Sequence, residues 1–235
     1  MPNATQQPGN SRDLRSFGRR RGRSLSPRQR ALWEEVLPRV AVPLDPTALR
    51  NPAALFTPPA TEAWLEIGFG GGEHLLWQAA HNPEVGFIGC EPFQDGVVKV
   101  LDAIAAEGVA NIRVHADDAR PLLRMLPEAS IGRAFVLFPD PWPKKRHHKR
   151  RLLSPDTASD LARVLRNGGE LRVGTDSGDY AAAILQVVLG SGAFAWIAES
   201  AADWARRPSD WPQTRYEAKA LRDRRRCYYF RFLKR

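Results

Sequence analysis

Residues 65–74 read LEIGFGGGEH, a short apolar run that leads into a cluster of glycines. Glycines let a backbone turn sharply and approach a ligand closely because they lack a Cβ atom. Gly68, Gly70 and Gly72 alternate along this segment, but position 73, where the dinucleotide fingerprint needs a glycine, is Glu73. A carboxylate is a poor neighbour for a pyrophosphate at a helix N-terminus. The loop therefore favours a ligand that carries positive charge, with a plain glycine-rich turn as the alternative.

Around this loop, short β-rich runs alternate with amphipathic stretches of helical length. Strands are predicted at residues 64–67, 85–90, 111–115, 133–138, 170–174, 193–197 and 227–233, and helices near 72–81, 94–107, 119–126, 155–166 and 178–189. Such alternation implies right-handed crossovers and a mostly parallel sheet that helices cover on both faces. A turn-rich segment with no helix precedes the last strand, which is therefore expected to be antiparallel. The sequence predicts an α/β protein with a seven-stranded, Rossmann-like sheet.

The chain divides into three predicted parts: a flexible basic arm at 1–24, an N-terminal helix and linker at 25–60, and the domain that contains the sheet at 61–235. The arm has almost no apolar residues, so it cannot bury enough surface to order itself. A helix is predicted to start at Pro27 and to run to about Leu37, because Pro38 should end it. The prolines that follow indicate an extended linker.

The charge of the chain is segregated along its length. The 35 Lys and Arg residues exceed the 26 Asp and Glu residues by nine, and only six of the 35 are Lys. The net charge is +6 in residues 1–50, −7 in 51–143, +3 in 144–200 and +7 in 201–235. An acidic centre between basic segments suits a pocket for a small cationic ligand beside a surface for nucleic acid, and arginine is well shaped for phosphate. Solvated surface charge is the alternative.

Composition excludes several classes of protein. The chain is 43% hydrophobic and 26% charged, which is ordinary for a soluble globular protein. Its Arg-rich start lacks the apolar core of a signal peptide, and no clean apolar run reaches the length of a membrane span. Two cysteines, too few for a disulfide framework, favour a reducing cytoplasm. The adjacent His147 and His148 have no third ligand in suitable spacing, so no metal is predicted.

Carboxylates follow the first three predicted strands or lie at their ends. Glu66 lies in the first strand, Glu91 ends the second and Asp118 follows the third. In a Rossmann-like sheet, an acid after the second strand accepts the hydroxyls of a ribose. Each carboxylate alone would more often be a helix cap. In order after a glycine-rich loop, they indicate an adenosine-containing cofactor, and the acidic pocket favours the sulfonium of S-adenosylmethionine over a pyrophosphate.

The fourth predicted strand leads into residues 139–151, PDPWPKKRHHKRR. Three prolines stiffen this loop and hold Asp140 at the carboxyl end of the sheet, Trp142 offers a stacking face, and six basic residues follow within eight positions. A purine flipped out of a stack needs a carboxylate for its N–H donors, an aromatic wall and cations for the flanking phosphates. A rigid loop with a solvated basic run is the alternative.

From about Arg15 onwards, the chain resembles the tRNA (guanine-N7-)-methyltransferase family. The run from Pro139 through the histidine pair and the TRYE block at 214–217 are specific to that family, whereas the glycine-rich loop is general to class I methyltransferases. Two segments depart from the family pattern: Ser177-Gly178, and the arginine-rich run at 222–226. The resemblance rests on residues 65–73, 90–92, 118–119, 138–151, 174–176, 207–208 and 214–217.

The resemblance implies a class I methyltransferase that transfers the methyl group of S-adenosylmethionine to N7 of a variable-loop guanosine in tRNA. The products would be N7-methylguanosine and S-adenosylhomocysteine, and the enzyme would be a cytoplasmic monomer or homodimer. It implies the following roles: cofactor binding by Glu66, Gly68, Gly70, Glu91 and Asp118; catalysis by Asp140; substrate binding by Lys144, Asp176, Thr214, Arg215, Tyr216 and Glu217; and RNA binding by Arg146, His147, His148, Lys149, Arg150 and Arg151.

Guanine N7 already has a lone pair, so methyl transfer needs no general base, and Asp140 is expected to position the base and offset its developing charge. An adenine amino-methyltransferase is an alternative, because a Pro-rich Asp-Pro-Trp loop also suits that reaction. An RNA-binding module on an inactive Rossmann-like fold is a second alternative, disfavoured by the three carboxylates. Glu73 disfavours a nicotinamide enzyme.

Overall fold

The computed structural model describes Gly18, residues 20–22 and residues 24–235. The predicted arm at residues 1–24 therefore falls mostly outside the described residues. Where the arm is described, it lies against the body of the protein, because the carbonyl of Arg20 accepts a hydrogen bond from the backbone N–H of Gln94 (3.0 Å).

The N-terminal helix begins as predicted but ends later. Ser26 caps α1 (Pro27–Ala31), a π-helical turn (Leu32–Val36) follows, and α2 (Leu37–Val40) continues through Pro38. Proline removes an N–H donor and its ring clashes with the carbonyl four residues earlier. The wider π turn, in which the Leu37 N–H bonds the Leu32 carbonyl, accommodates the proline. The prediction that Pro38 ends the helix was wrong for this reason.

The segment between this helix and the sheet packs on the protein instead of forming an extended linker. It contains two 3₁₀ turns, Ala48–Arg50 and Pro52–Leu55. Leu49 and Phe56 are buried in it, and the backbone N–H of Val42 bonds the Val114 carbonyl (2.9 Å). The prolines of this segment limit its backbone conformations, but its buried apolar residues fix its position on the protein.

A seven-stranded sheet forms the centre of the protein, in the order β3-β2-β1-β4-β5-β7-β6. The strands are β1 Glu62–Ile67, β2 Val85–Cys90, β3 Ile112–His115, β4 Ile131–Leu137, β5 Leu165–Thr175, β6 Phe194–Trp196 and β7 Tyr228–Lys234. The helices that accompany them are α3 Glu73–His81, α4 Gln94–Glu107, α5 Ala119–Met125, α6 Pro155–Val164, α7 Gly178–Gly190, α8 Ala202–Ala205 and α9 Arg215–Arg222. Pairings from β3 through β5 are parallel, and β7 is antiparallel to both β5 and β6.

Two apolar clusters cover the two faces of the sheet. One contains Leu75 of α3, Val100 of α4 and Ala220 of α9. The other contains Leu122 of α5, Leu161 of α6 and Ile184 of α7. Helices therefore lie on both faces of a mostly parallel sheet, and the predicted fold is confirmed.

The structure adds a helix that the sequence reading missed. Helix α9 lies where a turn-rich segment without a helix was predicted, and five residues separate it from β7. Its start carries a cap signal, since the Thr214 hydroxyl accepts a hydrogen bond from the Glu217 N–H (3.2 Å). The arginine-rich composition of the segment hid a short, strongly amphipathic helix whose Ala220 is fully buried.

This topology decides where a ligand can bind. The chain leaves β1 for β2 on one side and later enters β4 on its other side, so the strand order reverses between β1 and β4. In open α/β sheets, the crevice beyond the carboxyl ends of the strands at such a reversal is the usual ligand site.

Candidate active site

A cavity of about 420 Å³ lies beyond the carboxyl ends of β1 to β4. This volume lies within the range of small-molecule sites. Its walls come from the segments after those strands, from Arg150 and Leu152, and from Tyr216 in the first turn of α9. The predicted residues that line it are Gly68, Gly70, Glu91, Asp118, Asp140, Arg150 and Tyr216.

The glycine-rich loop forms the floor of the cavity. Gly68 and Gly70 both have positive φ (78° and 57°), a conformation that side chains other than glycine rarely adopt. A Cβ at Gly68 would point into open space, whereas one at Gly70 would meet the Tyr216 ring at 2.8 Å. The loop therefore exposes backbone to a ligand on one side and supports Tyr216 on another.

Glu91 is a buried acid that borders the cavity. Its two carboxylate oxygens accept hydrogen bonds from the backbone N–H groups of Gly70 (2.8 Å) and Phe93 (2.9 Å). Burial raises the pKa of Glu91 above its ordinary value, and the nearby charge of Asp140 raises it further, although the two N–H donors oppose the shift. The carboxylate is thus held in place at the cavity wall, and it keeps lone pairs that can accept further hydrogen bonds.

Asp118 borders the cavity at the end of β3 and caps α5. It accepts a hydrogen bond from the Arg120 N–H (3.0 Å) and pairs with the Arg120 guanidinium (2.6 Å). Burial alone would raise the pKa of Asp118, but the hydrogen bonds and charge of Arg120 lower it. The neighbouring Asp117 pairs with Arg20 of the arm. The lowered pKa keeps Asp118 charged at neutral pH, and Asp117 anchors the described part of the arm.

Glu66 lies beneath the loop and is not among the residues that line the cavity. It is 3% exposed and contacts Nδ1 of His74 at 2.7 Å, and Nε2 of His74 lies 3.2 Å from the Gln78 amide. This buried polar chain fixes the start of α3 under the loop. His74 was missed in the sequence, although the spacing of His74 and Gln78 by one helical turn is the signal that would have grouped them.

Asp140 lies in a loop with unusual backbone geometry. Phe138 and Trp142, two residues to either side, both have positive φ (52° and 44°). Such conformations are strained for residues other than glycine and tend to cluster at functional sites. The Phe138 N–H is fixed by the Gly174 carbonyl (2.7 Å). Within the part of the chain that is described, the exposed Asp140 carboxylate makes no hydrogen bond or ion pair.

The basic run after Asp140 forms a 3₁₀ helix, Lys145–Arg150. The ring of Trp142 contacts the His147 ring edge to face (5.9 Å between centres), and the Arg150 guanidinium lies 5.0 Å from its centre. His148 is partly buried and lies 3.7 Å from Asp179. The cations that remain exposed are Lys144, Lys145, Arg146 and Lys149.

Arg151, which was expected to contact RNA, points into the protein. It is 9% exposed, donates to the Pro141 carbonyl (2.9 Å), pairs with Asp179 and lies over the Tyr180 ring (4.7 Å). It ties the Asp140 loop to the start of α7. A stretch of like charges in sequence cannot reveal which member turns inward.

The predicted substrate residues of the TRYE block divide into two groups. Thr214 and Glu217 are buried, and Glu217 accepts a hydrogen bond from the Tyr229 hydroxyl (2.7 Å) and pairs with Arg207 (3.0 Å). Tyr216 is 45% exposed and lines the cavity, while Arg215 lies 3.5 Å from Glu73. The block therefore both builds the start of α9 and presents Tyr216 to the cavity.

Asp176, the last predicted substrate residue, follows β5 on the carboxyl side of the sheet. It does not line the cavity, and its carboxylate pairs with Arg225. Lys144 also lies outside the cavity wall, at the start of the 3₁₀ helix. The lining residues that the sequence reading did not select are mostly apolar positions at strand ends, such as Ile67, Leu137 and Phe138.

None of the helices in residues 24–235 is both long enough and apolar enough to cross a membrane. No group of three or more His, Cys, Asp or Glu side chains in that part of the chain is arranged to hold a metal ion.

The fold matches those of solved methyltransferases. A structure titled as an antibiotic-related methyltransferase aligns with a TM-score of 0.54 at 14% identity, over 84% of this chain and 96% of that one. The 16S rRNA methyltransferase KamB aligns with a TM-score of 0.52 at 17% identity, over 80% and 92%. At such low identity, these likenesses show the class I methyltransferase fold alone.

Sequence comparisons are closer. A family described as Putative methyltransferase matches residues 60–230. The chain is 49% identical to the tRNA (guanine-N(7)-)-methyltransferase of Ruegeria pomeroyi over 222 residues, which cover 92% of each chain. It is 50% identical to the relative of the same name in Hyphomonas neptunium over 213 residues, 89% of this chain and 95% of the relative. The chain belongs to the tRNA (guanine-N(7)-)-methyltransferase family.

Proposed function

We propose that the protein uses S-adenosylmethionine to methylate N7 of guanine in tRNA, at the guanosine of the variable loop. The observation that carries the proposal is a single cavity with a fixed acid, Glu91, on one side and an exposed acid, Asp140, on the other, directly before a basic run. Membership of the family selects the guanine reaction from the reactions that such a cavity could support.

The residues of the cavity fit this cofactor. The cavity has room for a nucleoside with a short side chain, and Gly68 leaves open space where any other residue would place a Cβ. Glu91 is positioned to accept the ribose hydroxyls, and Asp118 lies at the end of the next strand, on the adenine side. Bound there, the cofactor supplies an electrophilic methyl group on a sulfonium, whose positive charge suits an acidic pocket.

Glu66 would act through other groups. Because it bonds His74 below the loop, it holds the loop and the start of α3 in the geometry that the cofactor needs. This makes Glu66 a positioning residue in the present proposal, and the residues that would contact the cofactor are those that line the cavity.

Asp140 would hold the guanine. Its carboxylate makes no internal bond within the described residues, so it is available for the N1–H and N2–H donors on one edge of the base. N7 accepts the methyl group through its own lone pair and the ring becomes positively charged, and the nearby Asp140 carboxylate would stabilise that charge. The Trp142 ring, whose position is restricted by contacts with His147 and Arg150, would offer a wall for stacking.

The exposed cations Lys144, Arg146 and Lys149 would bind phosphates next to the extruded nucleotide. Arg151 would support the same loop from within through Pro141 and Asp179. We expect the protein to act in the cytoplasm, where a tRNA substrate is found. We expect it to be a monomer or a homodimer, and its size is compatible with either state.

The test is an incubation of purified full-length protein with methyl-labelled S-adenosylmethionine and an unmodified tRNA transcript, followed by nucleoside analysis. N7-methylguanosine is expected with the natural transcript and should disappear when the variable-loop guanosine is replaced by adenosine. N6-methyladenosine as the product would favour the adenine alternative. Binding of tRNA without binding of cofactor would favour an RNA-binding module and contradict the proposal.

A further inference from the structure

We propose that Arg224, with Arg222 and Arg226 beside it, forms a second phosphate-binding surface for the RNA substrate, separate from the run at residues 144–150. We call residues 222–226 the C-terminal arginine turn. The inference rests on the proposed function, because it assigns these arginines to the tRNA that the enzyme would methylate. Three observations carry it: the position of the turn, the strained backbone of Arg224, and the pairing of the charges.

The C-terminal arginine turn lies beside the first basic run, on the same edge of the sheet. Arg225 pairs with Asp176, which follows β5, and Arg151 pairs with Asp179, three residues further along the chain in the first turn of α7. The loop between β5 and α7 is therefore flanked by the two basic segments. A polynucleotide that follows the first segment past the cavity can reach the second without leaving this edge.

The backbone at Arg224 is strained in a way that glycine would relieve. Helix α9 ends in a Schellman motif, in which the Arg224 N–H bonds the Leu221 carbonyl (2.9 Å) and the Arg225 N–H bonds the Ala220 carbonyl (2.8 Å). This motif needs a left-handed residue after the helix, a place that glycine usually takes. Here Arg224 takes it, with φ of 54°. An arginine that is only solvated at this position would not offset the free-energy cost of the strained backbone, whereas an arginine that binds a phosphate would.

The arginines of the turn differ in whether they form ion pairs within the protein. Arg225 is neutralised by Asp176 and by Asp223 (3.1 Å). Arg224 has no ion pair or hydrogen bond from its side chain among the described residues. Its guanidinium is thus available to bind an anion from solution.

The two neighbours of Arg224 that we include are also exposed. The Arg222 side chain is 76% exposed and reaches Asp223 only at 3.9 Å. The Arg226 guanidinium lies over the rings of Trp204 (4.9 Å) and Tyr228 (5.5 Å), which restrict its orientation while leaving the charge on the surface. Together they extend the single charge of Arg224 into a surface that fits several phosphates.

Arg224→Gly separates the two roles of this residue. The substitution removes the guanidinium and relieves the strain, so the variant should melt about 2 to 4 °C higher than the wild type. Its affinity for tRNA should fall about fivefold near 0.15 M salt, and the slope of log K against log salt should become shallower by about 0.7 to 0.9, which is the effect of one lost phosphate contact. A protein that is more stable yet binds RNA more weakly cannot result from a folding defect.

Ala129→Gly is the matched control. Ala129 is exposed, also has positive φ (53°), and lies before β4 at the opposite edge of the sheet from the cavity. It should raise the melting temperature by a similar amount and leave tRNA affinity and the salt slope unchanged. Both variants are compared in the full-length protein, with an unmodified tRNA transcript as the ligand.

The outcomes distinguish this inference from the proposed function. If the wild type forms N7-methylguanosine but Arg224→Gly keeps the wild-type affinity and salt slope, the second surface is contradicted and the proposed function stands. If the wild type transfers no methyl group to any tRNA, the proposed function fails whatever Arg224 does. An equal loss of affinity in Ala129→Gly, which removes no cation, would show that the loss does not report a phosphate contact of Arg224, and would also overturn the inference.

Discussion

The ends of β2 and β4 border the same cavity, but the acids that follow them are held differently. Glu91 is buried and has both carboxylate oxygens bonded to backbone N–H groups. Asp140 is exposed, lies between two residues of positive φ, and makes no internal bond within the described chain. Glu91 is therefore part of a preformed pocket, whereas Asp140 is free to bind a group of the substrate.

This difference extends to the surroundings of the two acids. The side of β1 to β3 is rigid, because the loop glycines, α3 and the Glu66–His74 pair fix one another. The side of β4 and β5 carries exposed cations and strained backbone. A small cofactor of constant shape suits the first side, whereas a large polyanion, which brings its own charge and shape, suits the second. Substitutions on the two sides should therefore affect different measurements.

The largest effect is expected on the open side, at Asp140. Asp140→Asn keeps the shape of the side chain and removes the charge that would offset the developing positive charge on guanine, so kcat should fall about 100- to 1000-fold. Cofactor affinity should stay near that of the wild type. Single-turnover rates with tRNA and cofactor titrations measure the two quantities.

The control for Asp140 is Asp102→Asn, which makes the same chemical change in an exposed residue of α4 that pairs with Arg28. An exposed ion pair contributes little, so kcat should not change. Full turnover by the Asp140→Asn variant would show that its carboxylate does not assist the reaction, and the contrast between the two sides of the cavity would lose its functional meaning.

The next largest effect is expected on the rigid side, at Glu91. Glu91→Gln removes a charged acceptor for the ribose hydroxyls and should weaken cofactor binding about 10- to 100-fold, with a smaller change in kcat at saturation. Glu84→Gln, at the other end of the same strand, is the control because Glu84 is exposed and remote from the cavity. Calorimetric titration with S-adenosylhomocysteine measures both, and an unchanged dissociation constant in Glu91→Gln would contradict the assignment.

The pH dependence of binding sharpens this prediction. Burial raises the pKa of Glu91, so its carboxylate becomes protonated at a higher pH than an ordinary glutamate. Because the charged form is the better acceptor, wild-type affinity for the cofactor should fall as pH falls through this raised pKa. Glu91→Gln cannot titrate there, so the two proteins should converge at low pH. A constant ratio of their affinities across the range would show that Glu91 does not titrate in the free protein.

A smaller effect separates two neighbours within one motif. Glu217→Gln weakens the buried pair with Arg207 and should lower the melting temperature by about 2 to 4 °C, equivalent to about 1 kcal/mol. Tyr216→Ala leaves that pair intact and should raise KM for tRNA or cofactor while the melting temperature stays nearly constant. Thermal melts and steady-state kinetics of both variants test this, and the reverse pattern would place Glu217 in contact with a ligand.

The fold could be predicted well because most strands are short runs rich in buried apolar residues, and the long helices have apolar residues at helical spacing. Two predictions failed where local rules compete. Pro38 does not end its helix because a π turn accommodates it, and α9 was missed because its three basic residues outnumber its two buried ones. In both places, packing against the sheet overrides the local signal.

The site was predictable to the level of its loops but not of individual side chains. The glycines and acids at the strand ends predicted the position of the cavity, because parallel strands bring their carboxyl ends together. Whether a residue in those loops faces the cavity depends on contacts with segments distant in sequence. Arg151 turns inward to Asp179, Glu66 turns to His74 and Glu217 turns to Tyr229, and none of these pairings leaves a mark in the local pattern.

The position of β7 has a consequence for how the protein is made. This strand follows all the others in the sequence, yet it lies inside the sheet, between β5 and β6. Until residues 228–234 have left the ribosome, β5 can pair only with β4, and its other edge lacks a partner strand. The strand that follows α9 in the sequence is also missing until then. The pairing of β1, β2, β3 and β4 with one another does not require β7. A nascent chain can therefore form the glycine-rich pocket first, whereas the surface that we assign to RNA is completed only after residues 222–234 have been synthesised.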